Sequence, residues 1–304
     1  MAKKKSKICL KRFIPFLICL LLLIFIIFKL FFSISNKNRI KDLENDIKNT
    51  EKTDNSVSNV EENNSANNKH ISKAVKLSNG EKSENSLAVL MYHYFYDKSK
   101  GETGKNGNWM EISKFEEQLK YLKDNDYYFP TWDEVSDFVD GNVDLPKNSV
   151  VITMDDGHES LYSLAIPLLN KFQIPATAFI ITKDFDSQNL EKYNDSTIQF
   201  ESHTNDMHHG GGTYGHGGIF PALSIDKGVD DLKTSIEKLG GKARVLAYPY
   251  GDCTDKTKEA AQKAGMMIAF TTVNKKVKPG MNKYELPRVR MYAEITLKGF
   301  ANSL

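Results

Sequence analysis

From residue 87 onward, short apolar runs alternate with amphipathic stretches, and this alternation limits the fold more than any other feature of the chain. "SLAVLMYHYF" is an apolar run that ends in a histidine. "SKFEEQLKYLKDNDY" then places Phe115, Leu119 and Leu122 at i, i+4 and i+7 behind Ser113 as N-cap, the spacing of one helical face. "TWDEVSDFVDG" reads as a second helix, capped by Thr131 and stopped by Gly141. The strand "NSVVITMDDG", a helix over "SLYSLAIPLLNKF" and the strand "PATAFIIT" come next. "STIQFESH", "ARVLAYPYG" and "MIAFTTV" read as further strands, separated by helices over "GVDDLKTSIEKLG" and "DKTKEAAQKAG". Such a chain predicts an α/β fold, a mostly parallel sheet with helices outside it, either closed into a barrel or open and doubly wound. In both arrangements reactive groups gather at the carboxyl ends of the strands.

The run "VVITMDDGHES" ends a buried strand in Asp155, Asp156 and Gly157. Adjacent carboxylates repel unless a cation or a proton compensates them, so the pair points to a metal or acid/base site, with a solvated turn as the plainer alternative. Other polar clusters fall at comparable places: His93 after "LAVLMY", Glu201 to His208 after "STIQF", and Tyr248 to Gly251 after "ARVLA". His203 and His208 in "ESHTNDMHH" are five apart. A helix would splay them, so a shared ligand requires an irregular loop beyond a strand end. Taken alone the pair is a weak signal and reads more readily as two surface histidines. With a strand-end carboxylate it suits a borderline divalent cation and leaves positions open, as in catalytic zinc centres; cobalt, nickel or manganese tolerate the same donors.

The formal net charge is only +2, and the basic excess sits at the start in Lys3, Lys4, Lys5, Lys7, Lys11 and Arg12. No nucleic-acid surface is predicted. Residues 13–32, "FIPFLICLLLLIFIIFKLFF", are broken only by Pro15 and Lys29 and are long enough to cross a bilayer. Lysines ahead of them predict a cytoplasmic tail, with everything after residue 32 outside. The flank "SISNKNRI" offers no small-x-small cleavage site, so residues 1–32 are expected to be a basic tail and a retained transmembrane anchor. Residues 33–86 are dominated by Asn, Lys, Glu, Asp and Ser and predict a disordered linker, which leaves 87–304 as the catalytic domain. The expected protein is single-pass in the cell membrane with that domain extracellular. Cys253 is the one cysteine of the exported part and reads as a small apolar filler. Nothing in the sequence predicts an oligomer.

"TMDDG" resembles the T-F-D-D-G motif of polysaccharide deacetylases, the NodB-homology domains of carbohydrate esterase family four. "SHTNDMH" resembles their H-[ST]-x-x-x-H metal motif, and "AYPYG" their third motif, whose usual form begins with Arg. The similarity runs over residues 87–304. It implies a distorted (β/α) barrel and a hydrolase of linear amide bonds, acting on a glycan that contains N-acetylglucosamine. It also implies that Asp156, His203 and His208 hold one divalent metal ion, zinc foremost. Asp155 would be the general base toward the attacking water, and the backbone N–H of Tyr250, after Pro249, a donor to the oxyanion.

The sequence departs from the common pattern in several places. Most members carry the general acid on a histidine near the end of the chain, but none follows His216 here. A subgroup similar to the deacetylases of biofilm poly-N-acetylglucosamine carries it in a Y-H motif on the first strand, a circular permutation of the barrel. "LMYHYF" matches that motif, so His93 is the candidate acid. Ala247 replaces the third-motif arginine; Arg288 or Arg290 in "LPRVRMY" could supply that charge from another strand end, with Arg288 preferred. "DCTDKT" only partly echoes a D-x-x-D-W motif, so Asp252 and Asp255 are expected to serve in turns and helix capping alone. "HGGGTYGHGGIF" reads as a flexible surface loop, or as a lid that brings His209 and His216 to the groove. Trp109 and Trp132 either stack on sugar faces or belong to the core. A tethered domain slightly favours peptidoglycan as substrate, whereas the permuted His93 favours a secreted poly-N-acetylglucosamine. A non-catalytic glycan-binding wall protein is the competing class. A glycoside hydrolase needs two carboxylates flanking the sugar bond, which adjacent residues suit poorly.

Overall fold

A computed structural model describes residues 70–304 apart from Asn79, Asn194 and Asp195. The strands are β1 (Val75–Lys76), β2 (Ala88–Tyr92), β3 (Tyr94–Tyr96), β4 (Trp109–Glu111), β5 (Val143–Asp144), β6 (Val150–Met154), β7 (Ala176–Ile180), β8 (Ile198–Ser202), β9 (Val245–Ala247), β10 (Ile268–Asn274) and β11 (Leu286–Arg290). The helices are α1 (Ile112–Asp124), α2 (Trp132–Val139), α3 (Ile166–Phe172, entered through a π turn), α4 (Gln188–Lys192), α5 (Ile225–Lys238), α6 (Asp255–Lys263) and α7 (Leu297–Ser303).

Seven strands, β2, β6, β7, β8, β9, β10 and β11, form a closed barrel in that order, every neighbouring pair parallel. Of the two arrangements open to the alternating pattern, the chain adopts the closed one. Strands β2, β6 and β7 are buried along their whole length, so their sequences are apolar runs rather than polar–apolar alternations. Parity still decides what each residue meets. Leu90, Ile152, Met154 and Ala178 join the cluster that contains Phe115, Leu119 and Leu122 of α1 and Leu169 of α3. Val89, Val151, Phe179, Ala247, Ile268, Phe270 and Leu286 join a second cluster inside the barrel. Helix α2 closes the amino end of that interior with Trp132, Val135 and Phe138. The indole of Trp132 donates to Thr177 Oγ1 at 3.1 Å, which makes this tryptophan part of the core.

Thr131 caps α2 through a capping box with Glu134. Helix α1 begins two residues earlier than its sequence suggests: Glu111, not Ser113, is its N-cap, because β4 runs directly into it. The linker expected over 33–86 is corrected at its far end. Residues from His70 belong to the compact unit, β1 pairs antiparallel with β5, and His70 Nε2 lies 3.0 Å from both the Tyr128 hydroxyl and a Glu134 carboxylate oxygen. These partners lie about 60 positions away, beyond what local composition reveals. The expected anchor over 13–32 and the linker up to residue 69 lie outside the described residues. Among the described residues no helix is long and apolar enough to cross a membrane.

Candidate metal centre and active site

The site begins where β6 ends. Val151, Thr153 and Asp155 share one parity, so Asp155 continues the inward-facing series into the barrel, and its N–H donates to Tyr92 O at 3.0 Å. Asp156 would then face outward, but its φ of 74° places it in the left-handed region, which an Asp tolerates better than most residues. The turn swings its carboxylate toward the ends of β7 and β8. Gly157 follows at φ 73°, a backbone conformation that favours glycine, and a Cβ there would stand 2.9 Å from Ile180 Cδ1 at the tip of that side chain. The "DDG" sequence is a device for aiming two neighbouring carboxylates in different directions.

Asp155 meets Arg288. Both residues are essentially without exposure, and the guanidinium engages the carboxylate with two parallel bonds, Nη1 to Oδ1 at 2.6 Å and Nη2 to Oδ2 at 2.7 Å. Arg288 Nε donates to Thr271 O at 3.1 Å, Nη1 also reaches Thr153 Oγ1 at 3.2 Å, and the group lies over the Phe179 ring. Burial alone would raise the Asp155 pKa, but the charge and hydrogen bonds of Arg288 outweigh it and hold the carboxyl below its usual range. Arg290, two residues on, points elsewhere and donates to Asn108 Oδ1 at 2.5 Å.

Asp156 meets two histidines. Beyond β8, Thr204 turns with φ 72° and brings His203 and His208 back upon each other, their ring centroids 4.8 Å apart. This is the irregular loop that the five-residue spacing demanded. Asp231 of α5 accepts the N–H groups of Asn205 and Asp206 at 2.7 and 2.8 Å and so fixes the loop from below. His203 Nδ1 lies 2.7 Å from Ala247 O; a carbonyl only accepts, so Nδ1 carries the proton and Nε2 faces the site as a lone pair. His203 Nε2 and His208 Nε2 each lie 3.4 Å from Asp156 Oδ1.

The donor set fits a divalent cation. Asp156, His203 and His208 offer ligand atoms within 4.8 Å of one another, and Asp156 Oδ1 is buried with no hydrogen-bond partner, a costly state unless positive charge meets it. Burial opposes the charge on Asp156, yet the contacts with His203 and Tyr94 pull its pKa below the usual range. Burial likewise opposes a charged His203, but Asp156 and Asp155 raise its pKa, while His208 is lowered first by burial and then by His203. The two carboxylates thus favour positive charge in the space beside these three groups.

The remaining expected residues border the same space. His93 interrupts the chain between β2 and β3; its Nδ1 is buried without a partner. Burial lowers its pKa, against the pull of Asp155 and Asp156. Tyr250, between Pro249 and Gly251, adopts φ 60°, and its ring stacks on His208 at 4.6 Å. Asp252 departs from its expected role. It caps no helix; Thr254 caps α6. Its carboxylate accepts the N–H of His216 at 2.8 Å and of Gly218 at 2.9 Å, and so ties the glycine-rich segment beside Tyr250. His209 is exposed and turned to Gly210 O. Trp109 packs against Tyr94 and His158, and Tyr94 donates its hydroxyl to Asp156 Oδ2. Tyr94 has no place in the sequence reading, although it adjoins His93; the break in the strand at His93 lets successive residues serve one site.

Comparison with known proteins agrees with this architecture. A family model described as polysaccharide deacetylase matches residues 142–269. The chain is 33% identical over 233 residues to a Staphylococcus aureus (strain MRSA252) protein named poly-beta-1,6-N-acetyl-D-glucosamine N-deacetylase, covering 68% of this chain and 79% of that one. Among solved structures it resembles IcaB from Ammonifex degensii, with a TM-score of 0.59 and 26% identity over 71% of this chain and 94% of the other. A polysaccharide deacetylase from Bacillus cereus gives a TM-score of 0.60 and 27% identity over 72% of this chain and 69% of the other.

Proposed function

The chain belongs to the polysaccharide deacetylases, hydrolases of N-acetyl amides, and on that premise we propose that it removes acetyl groups from poly-β-1,6-N-acetylglucosamine with the help of one divalent ion. The observation that carries the metal-dependent reading is the buried, unpartnered Asp156 Oδ1 between two imidazole nitrogens, beside an Asp155 wholly engaged with Arg288. The substrate in the relatives' name supports the exopolysaccharide better than the peptidoglycan that a tethered domain suggests. An anchor over residues 13–32, with the catalytic domain outside the cell, belongs to the same proposal.

In this reading Asp156, His203 and His208 hold the ion, zinc foremost. When bound it would act as a Lewis acid toward the acetyl carbonyl and the attacking water. Asp155 accepts a proton from that water, and Arg288 keeps the carboxylate ionised and oriented toward it. The backbone N–H of Tyr250 donates to the oxygen on which charge develops. His93 delivers a proton to the leaving amine nitrogen, so that the amide C–N bond breaks to a free amine and acetic acid, which then ionises to acetate in solution. The proton taken up by Asp155 balances the one that His93 gives.

The test is acetate release by the full-length protein from β-1,6-linked N-acetylglucosamine oligomers and from peptidoglycan fragments, before and after chelation. Release from the oligomers, lost with the metal and restored by Zn²⁺, is the expected result. Release from peptidoglycan alone would transfer the substrate assignment, and release that survives complete removal of metal would overturn the proposed centre.

A further inference from the structure

The two oxygens of Asp156 have different surroundings. Oδ2 accepts the hydroxyl of Tyr94, whereas Oδ1 makes no hydrogen bond and lies 3.4 Å from the Nε2 atoms of His203 and His208. Tyr94 is itself held from several sides. It opens β3, its Cα pairs with that of Trp109 in β4, and its ring lies 5.1 Å from the rings of both Trp109 and His158. Those two rings are 5.3 Å apart, so the three side chains brace one another. His158 is fixed in turn by Ser160, whose N–H and hydroxyl lie 3.1 and 2.9 Å from Nδ1, and Ser160 Oγ accepts the N–H of Phe95 at 3.0 Å. The short parallel ribbon of β3 and β4 thereby delivers one phenol to one carboxylate oxygen.

An aspartate rotates easily about its last torsion and can present one oxygen, the other or both. A donor on Oδ2 removes that freedom. We propose that Tyr94 is a positioning residue of the metal centre: its hydroxyl engages Asp156 Oδ2, so that Oδ1 alone is presented to the ion. Ligation through one oxygen leaves coordination positions for water and substrate, as catalytic sites require. Outer partners of this kind typically contribute ten- to a hundredfold to metal affinity. The inference rests on the metal-centre reading above, and its test separates the two.

The full-length protein, stripped of metal, is titrated with Zn²⁺ against a chromophoric chelator as wild type, Tyr94→Phe, Tyr96→Phe and Asp156→Ala. Tyr94→Phe is expected to raise the Zn²⁺ Kd about ten- to a hundredfold. Tyr96→Phe, on the same ribbon, is expected to leave it unchanged, and Asp156→Ala to abolish tight binding. Loaded with Co²⁺, Tyr94→Phe should also show a shifted visible absorption band, since the presentation of Asp156 changes. Wild-type affinity and an unshifted band in Tyr94→Phe overturn the inference while leaving the centre intact. So does an affinity loss explained wholly by a lower melting temperature of the metal-free variant. Failure of the wild type to bind Zn²⁺, or full binding by Asp156→Ala, overturns the metal centre itself.

Discussion

Asp155 and Asp156 are neighbours in the chain, yet the regions around them follow opposite rules. Around Asp155 every carboxylate oxygen is matched by a guanidinium nitrogen, and the pair is buried beside Phe179. Around Asp156 one oxygen is matched by Tyr94 and the other is left bare before two histidines. A buried carboxylate satisfied by its own protein has no need of an ion and can act as a fixed base. A buried carboxylate with a bare oxygen demands one. Strand parity places the first and a left-handed residue places the second, so one dipeptide serves both regions without the two charges competing for the same partner.

The largest effect that sharpens this contrast belongs to Asp155→Asn. Turnover should fall about 10²–10⁴-fold, the usual contribution of a general base, while the zinc content of the purified protein stays at the wild-type level. Zinc loss in that variant would mean that the two regions are not separate. Arg288→Ala attacks the Asp155 region directly, since it leaves Asp155 as a buried charge without a partner. A destabilisation of about 3–5 kcal/mol in urea denaturation is expected. An unchanged midpoint would show that the pair contributes nothing to the fold. Gly157→Ala disturbs the hinge between the regions: the new methyl must occupy strained backbone 2.9 Å from Ile180, at a cost of about 1–3 kcal/mol. Combined with Ile180→Val the loss should be partly relieved, and strict additivity would argue against the contact.

The barrel strands and most of the helices are legible in the sequence because their signals are local. Apolar runs bounded by turn residues mark β6, β7 and β10, and Thr131 with Glu134 marks the start of α2. The closeness of Asp156, His203 and His208 is legible for a related reason: strand ends converge in such folds, so residues at several ends are brought together by topology. Asp252 is not legible, because the N–H groups that it accepts lie 34 and 36 positions away and only the folded loop defines them. Tyr94 is hidden for a different reason. A regular strand would send it to the face opposite His93, and only the interruption between β2 and β3 brings both toward the cluster of Asp156, His203 and His208. The ordered segment from His70 is masked by its composition, which is as polar as that of the residues before it.

The most direct test of the central claim is a crystal structure of the zinc-loaded protein with anomalous data at the zinc edge. The account predicts one ion bound by His203 Nε2, His208 Nε2 and Asp156 Oδ1, with Asp155 outside its coordination shell and still paired with Arg288. An anomalous peak elsewhere, or Asp155 ligating the ion with its arginine displaced, would contradict it.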